Sequence, residues 1–262
     1  MASRILFCLA LSIHAGASVA LGEEAKKSDK AEPTAPQISL IYPVVVFAGE
    51  TNTMFLRGQN LTNITVLHFT NEVPESAIRI VSAKSADVPK DYDVKRIGNQ
   101  IMELHVFVPA LASATVKTNG IIPDGFKGTN IVSVVIVPKE NGGDEHEPNG
   151  GFGSAAAIHC GQWIRGTIKE PGDVDVFQVR VEAGQRLSSE VYAANGGSML
   201  DSLLTLHDAF GNILAVNDDY AGNRDSRLEW EVVTSGVVKI SVQDANDKGG
   251  IAHVYALHVN CR

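Results

Sequence analysis

Apolar and polar residues alternate along most of this chain with a period of two. Thr53-Met54-Phe55-Leu56-Arg57, Met102-Glu103-Leu104-His105-Val106-Phe107-Val108 and Asn130-Ile131-Val132-Ser133-Val134-Val135-Ile136-Val137 show the pattern in the first half. Residues 175–181, 203–207, 236–242 and 253–259 show it in the second. Successive side chains of a strand point to opposite faces, so this period predicts strands with one face in a core. Turn formers such as Ala183-Gly184-Gln185 and Phe210-Gly211-Asn212 lie between the runs. No long amphipathic helix is evident, and Ala155-Ala156-Ala157 begins at most a helical turn. Many short strands with frequent turns predict an all-β chain of two β-sandwiches, not βαβ units.

Two stretches interrupt the pattern. Residues 21–35, LGEEAKKSDKAEPTA, are charged and lack an apolar period, which predicts a flexible leader. Residues 139–153, KENGGDEHEPNGGFG, are rich in Gly and acid and mark a linker. They bound two globular regions, 36–138 and 154–262. At the start of the chain, Arg4 precedes an apolar run from Ile5 to about Ile13, and small residues follow. Ala15-Gly16-Ala17 matches the small-x-small cleavage pattern and Ser18-Val19-Ala20 its looser form. Residues 1–20 are therefore expected to be a secretory signal peptide, cut after Ala17 or Ala20. The run is too short to cross ~30 Å of hydrocarbon, and no transmembrane segment is expected elsewhere.

Charge and cysteine usage narrow the partners and the compartment. Formal net charge is -8. Nucleic acid and anionic membranes are met by clustered Lys and Arg, and Lys26, Lys27 and Lys30 are the one basic cluster, so no nucleic-acid partner is expected. Removal of the signal leaves Cys160 and Cys261. Export leads to an oxidising compartment, where a disulfide is allowed. A bridge would close a loop of roughly 100 residues, about 4–5 kcal/mol in the chain-entropy account. The other reading is two separate buried thiols.

In the first half, Pro36-Gln37-Ile38-Ser39-Leu40-Ile41-Tyr42-Pro43 precedes Ala48-Gly49-Glu50 and Leu56-Arg57-Gly58-Gln59-Asn60-Leu61. This order resembles the opening of an IPT/TIG immunoglobulin-like domain. In the second half, Glu147-Pro148-Asn149, Gly172-Asp173-Val174-Asp175-Val176-Phe177, Ala183-Gly184-Gln185, residues 199–208, Phe210-Gly211-Asn212-Ile213-Leu214-Ala215, Asn217-Asp218-Asp219 and Ser235-Gly236 follow in order. The series resembles a bacterial pre-peptidase C-terminal (PPC) domain over nearly all of 145–259. The resemblance implies a jelly-roll-like β-sandwich of the kind appended to secreted proteases and other exported proteins. That family is similar to the collagen-binding domains of clostridial collagenases, some of which bind calcium.

Calcium is a hard cation that takes six to eight oxygen ligands, and two groups of residues offer them. In the collagen-binding relatives, an E-x-E-x-N-D linker and an aspartate at a strand start hold the ion. Glu145, Glu147, Asn149 and Asp175 stand at the matching positions with Asp173 beside them, and Gly150 replaces the pattern's last Asp. The bland alternative is a solvated acidic linker with Asp175 capping a turn. The second group is Asp201, Asn217, Asp218, Asp219 and Asp225. Carboxylates held together repel one another unless a cation neutralises them. The alternative is an Asx turn at Asn217-Asp218, with the other acids facing water near Arg224 and Arg227.

No catalytic residue is expected. Asp218 and Asp219 are adjacent, so on a strand they point apart, and the chain lacks H-E-x-x-H, G-x-S-x-G and P-loop motifs. His105, His253 and His258 sit in strand patterns and read as sheet faces. Trp163 and Trp230 read as core residues, the sharper alternative being platforms for glycan or protein. The expectation is an exported, non-catalytic binding or adhesion module, secreted, periplasmic or at the cell surface, with an extracellular protein or polysaccharide ligand and calcium as a stabilising ion. The alternatives are an accessory or cryptic component of a secreted, peptidase-associated hydrolase, and a purely structural secretion module.

Overall fold

The computed structural model describes residues 34–71, 73–110, 117–126 and 131–262. The expected signal peptide and most of the expected leader lie outside the described residues. The period-two runs form strands, with Ile131 and His253 just ahead of theirs and Asn130 outside the described residues. In the first half these are β1 (Gln37–Tyr42), β2 (Val45–Ala48), β3 (Glu50–Gln59), β4 (Leu67–Phe69), β5 (Ala77–Ser85), β6 (Gln100–Val108), β7 (Lys117–Pro123) and β8 (Val132–Pro138). They make two four-stranded sheets, in the orders β1-β3-β6-β5 and β2-β8-β7-β4. The chain leaves the first sheet after Tyr42 and re-enters as β2, parallel to β8 in the second. Met54, Leu56, Met102, Leu104 and Val106 from one sheet meet Val46, Ile121, Val134 and Ile136 from the other in a buried core.

The second half adds β9 (Gly142–Asp144), β10 (Ala156–Ile158), β11 (Gln162–Thr167), β12 (Val174–Val181), β13 (Arg186–Tyr192), β14 (Ser202–His207), β15 (Ile213–Asn217), β16 (Arg227–Glu231), β17 (Gly236–Asp244) and β18 (Val254–Cys261). Two five-stranded sheets result, β10-β12-β17-β14-β15 and β16-β13-β18-β11-β9. Phe177, Val179, Leu204 and Ile240 interleave with Ile164, Leu187, Leu257 and Val259 between them. The chain is thus all-β, with two sandwiches. Ala156–Ile158 corrects one expectation, because it is a strand parallel to β12 and not a helical turn. Ladder bonds and the packing of Ala156 and Ile158 on the core outweigh alanine's local helix preference.

Cys160 and Cys261 form the expected disulfide, with a Cα–Cα distance of 5.4 Å and a sequence separation of 101. The bridge ties Cys160, two residues ahead of β11, to the end of β18.

A third core joins the two sandwiches. Leu40, Val45, Phe47 and Val137 pack there with Trp163, Val254 and Ala256, and the Arg165 guanidinium lies 4.0 Å from the Phe47 ring centre. The Tyr92 hydroxyl donates to the Gly249 carbonyl at 3.3 Å, linking a first-half loop to the second half. Residues 34–262 accordingly form one compact unit. Within the expected linker, Gly142–Asp144 pairs in parallel with Trp163–Arg165 as an edge strand. Trp163 is buried in the shared core and Trp230 packs against the core of the second sandwich, so both serve packing.

Candidate metal centre

The centre is built where the 145–149 segment crosses the start of β12. The Glu145 N–H donates to the Arg165 carbonyl at 2.9 Å, and the Asn149 carbonyl accepts from the Val176 N–H at 3.0 Å. These two backbone bonds hold the segment against both sheets of the second sandwich. β12 places Asp175 inward, fully buried, opposite Val242 of β17. Tyr255 of β18 reaches it from the other sheet, its hydroxyl donating to Asp175 Oδ2 at 2.6 Å and to Glu145 Oε2 at 3.3 Å. This approach needs Gly166. A Cβ there would stand 2.4 Å from the Tyr255 ring and 2.6 Å from Glu145 Oε2.

Glu145, Glu147 and Asp175 each bring a carboxylate oxygen into one group, all within 4.8 Å of one another. Asn149 is fully buried beside them. Its Oδ1 and Nδ2, and Asp175 Oδ1, have no hydrogen-bond partner among the described residues. Buried side-chain polar atoms nearly always have partners, so these three atoms leave polar capacity unused beside the carboxylates. Lys169 is the local cation, 2.7 Å from Glu147 Oε1 and 3.3 Å from Glu145 Oε1. The Thr167 N–H also donates to Glu145 Oε1, at 3.0 Å.

The electrostatics follow from that crowding. Burial pushes the Asp175 carboxyl up to about 8, and the Glu145 charge adds to the rise. Burial also raises the Tyr255 hydroxyl, helped by the Asp175 and Glu145 charges. The hydrogen bond from Lys169 holds Glu147 below the usual carboxylate range. Two acids beside a buried third, with an amide oxygen, are a hard, all-oxygen donor set of the kind that suits a divalent alkaline-earth cation. Asp173 is not in the group, because its Oδ2 accepts from the Lys169 N–H at 2.7 Å and closes the turn ahead of β12.

The second group of acids does not converge. Asp201 Oδ2 accepts from Asn246 at 2.9 Å. Asp225 caps the 194–196 turn, accepting from the Ala193 and Ala194 N–H groups at 3.2 and 3.0 Å. Asn217 Oδ1 accepts from the Arg227 N–H at 2.8 Å, and its amide donates to the Asp219 carbonyl. Asp218 and Asp219 are exposed. Each side chain that is engaged serves a different backbone or amide group, so the loop is organised by turn bonds. Tyr255 and Lys169 carry no motif, and sequence reasoning missed both. Tyr255 has only its period-two place in β18 as a signal.

Residues 173–244 match the family model described as "Bacterial pre-peptidase C-terminal domain". Over 158 residues, 59% of its length, the chain is 33% identical to a "Probable subtilase-type serine protease" of Deinococcus radiodurans. It spans 21% of that relative. Among solved structures, the pre-peptidase C-terminal domain of a Bacillus anthracis collagenase aligns over 44% of this chain and 100% of its own, at 18% identity and a TM-score of 0.34. The secreted serine protease VesC of Vibrio cholerae aligns over 83% of this chain and 48% of its own, at 10% identity and a TM-score of 0.29. No described helix is long and apolar enough to cross a membrane. Residues 173–244, within the second sandwich, are thus similar to a bacterial pre-peptidase C-terminal domain.

Proposed function

We propose that the chain is an exported, non-catalytic module associated with a peptidase, and that calcium stabilises it at Glu145, Glu147, Asn149 and Asp175. One observation carries the metal reading. Three carboxylates lie within 4.8 Å of one another while Asn149 and Asp175 keep buried atoms without partners among the described residues. The subtilase-type relative supports the link to a peptidase. The first sandwich, read as IPT/TIG-like, would serve as a spacer or recognition unit ahead of it. The ion would tie the 145–149 segment, and with it edge strand β9, to the start of β12.

Binding to the native state alone adds stability of about 2.7 kcal/mol at a hundredfold excess over Kd. Scanning calorimetry should therefore show the melting temperature rising in millimolar calcium and falling in EDTA, with the difference abolished in Asp175→Asn. A melting temperature indifferent to calcium would sink the metal reading. Purified protein should show no turnover of peptide, ester or glycan substrates. Reproducible turnover would overturn the non-catalytic reading.

A further inference from the structure

A cleft of about 450 Å³ lies between the two sandwiches. Glu50–Thr53 of β3 line one wall and Arg165–Thr167 of β11 the other, with Tyr42 and Tyr255 also facing the space. Consecutive residues of a strand point to opposite faces. A run of three or four can line one cavity only along the strand's edge, where the backbone itself is presented.

The registers show why the β3 edge is open. β1 pairs with β3 only from Gln59 back to Phe55, because the chain departs after Tyr42 for the facing sheet. Among the described residues, Glu50–Met54 therefore pair with β6 alone. Across the cleft, β9 ends at Asp144 opposite Arg165, and Glu145 takes the next groups of the β11 edge, its N–H donating to the Arg165 carbonyl and its Oε1 accepting from the Thr167 N–H. In an antiparallel ladder every second residue turns its N–H and C=O away from its partner. The Asn52 amide takes part of the β3 edge for itself, donating to the Phe47 carbonyl at 2.8 Å and the Glu50 carbonyl at 3.4 Å.

The walls are acidic. Glu50, Asp144 and Glu145 face Arg165 as the one lining cation, and Arg165 is engaged with both Asp144 oxygens, at 2.6 and 2.8 Å. Lys139 pairs with Glu50 and Lys169 with Glu145, but neither lysine lines the cleft.

We propose that this cleft binds an extended peptide segment carrying a basic side chain, added as a strand along the Glu50–Met54 edge. Main-chain bonds of such an added strand supply affinity, and alternate side chains supply specificity. The volume lies in the range of ligand sites and holds a few residues. The cleft shares Glu145 with the metal reading, and the inference rests on the β3 edge with Glu50 and Asp144.

The test is a titration of the full chain with the capped pentapeptide acetyl-Thr-Lys-Val-Lys-Thr-amide, read by amide chemical shifts in calcium and in EDTA. Saturable shifts at Glu50–Thr53 and Arg165–Thr167 are expected at ~1 mM peptide, the weak end of measurable affinity. Methylating alternate backbone nitrogens of the peptide, or replacing its lysines by glutamates, should weaken binding about tenfold or more. Glu50→Lys should do the same, and the peptide variants decide the question if that protein fails to fold. Silence at those amides in both buffers would overturn the proposal, as would equal binding of the N-methylated peptide. Failure of the calcium reading leaves this experiment intact.

Discussion

The Tyr255 hydroxyl donates to Asp175 Oδ2 at 2.6 Å, joining the two sheets of the second sandwich through a buried polar contact. Removing the donor leaves a buried carboxyl with one partner fewer, and a buried polar group left unsatisfied costs about 1–3 kcal/mol. Tyr255→Phe should therefore lower the urea-unfolding free energy by about that amount in EDTA. A loss within the error of the wild-type measurement would show that the contact contributes little.

The Cys160–Cys261 bridge spans 101 residues of sequence. In the chain-entropy account, a loop of that size restricts the unfolded state by about 4–5 kcal/mol. The Cys160→Ser, Cys261→Ser double variant should unfold at correspondingly lower urea, with dithiothreitol shifting the wild type and leaving the variant unmoved.

His258 stacks on Trp163 with ring centres 4.3 Å apart. Burial pushes its pKa down to about 4, and the nearby Arg262 charge adds to the depression. Between about pH 4 and the ordinary histidine value near 6.5, the unfolded chain binds a proton that the folded chain does not. Stability from this group is therefore present above about 6.5 and lost as the pH falls through that window. His258→Phe keeps a ring against Trp163 and should flatten the acid side of the stability profile. Urea midpoints at about pH 7 and pH 5 give the comparison, and an unchanged slope in the variant would exclude His258 as the cause.

Gly197 adopts φ +83°, and a Cβ there would lie 2.1 Å from the Ser39 carbonyl oxygen of the first sandwich. Gly197→Ala combines a strained backbone with a clash at the junction of the two halves. Thermal unfolding should report a loss of about 1–3 kcal/mol. Wild-type stability would mean that the junction gives way locally at little cost.

The strand pattern was legible because burial on one face writes a period of two into the sequence, as in Met102–Val108, whose Met102, Leu104, Val106 and Val108 are all buried. Glu145, Glu147, Asn149 and Asp175 were read from the resemblance to the collagen-binding relatives' pattern, and the structure brings the three carboxylates within 4.8 Å of one another. Asp173 sits two residues from Asp175, yet its carboxylate turns to the Lys169 N–H. Local spacing says nothing about which of two neighbouring acids faces inward when the strand begins between them.

What the sequence by itself determined is the all-β class, the two runs of strands and the cysteine pair, since each follows from side-chain alternation or composition. Only the tertiary structure decided which acids meet. Asp201, Asn217 and Asp225 are engaged separately, each by the backbone or amide groups its own strands bring beside it. The placement of Tyr255 over Asp175, the shared core around Trp163 and the open edge of β3 likewise depend on pairings between residues far apart in the chain. Those pairings are set by long-range register and by burial of whole sheet faces, which no short stretch of sequence encodes.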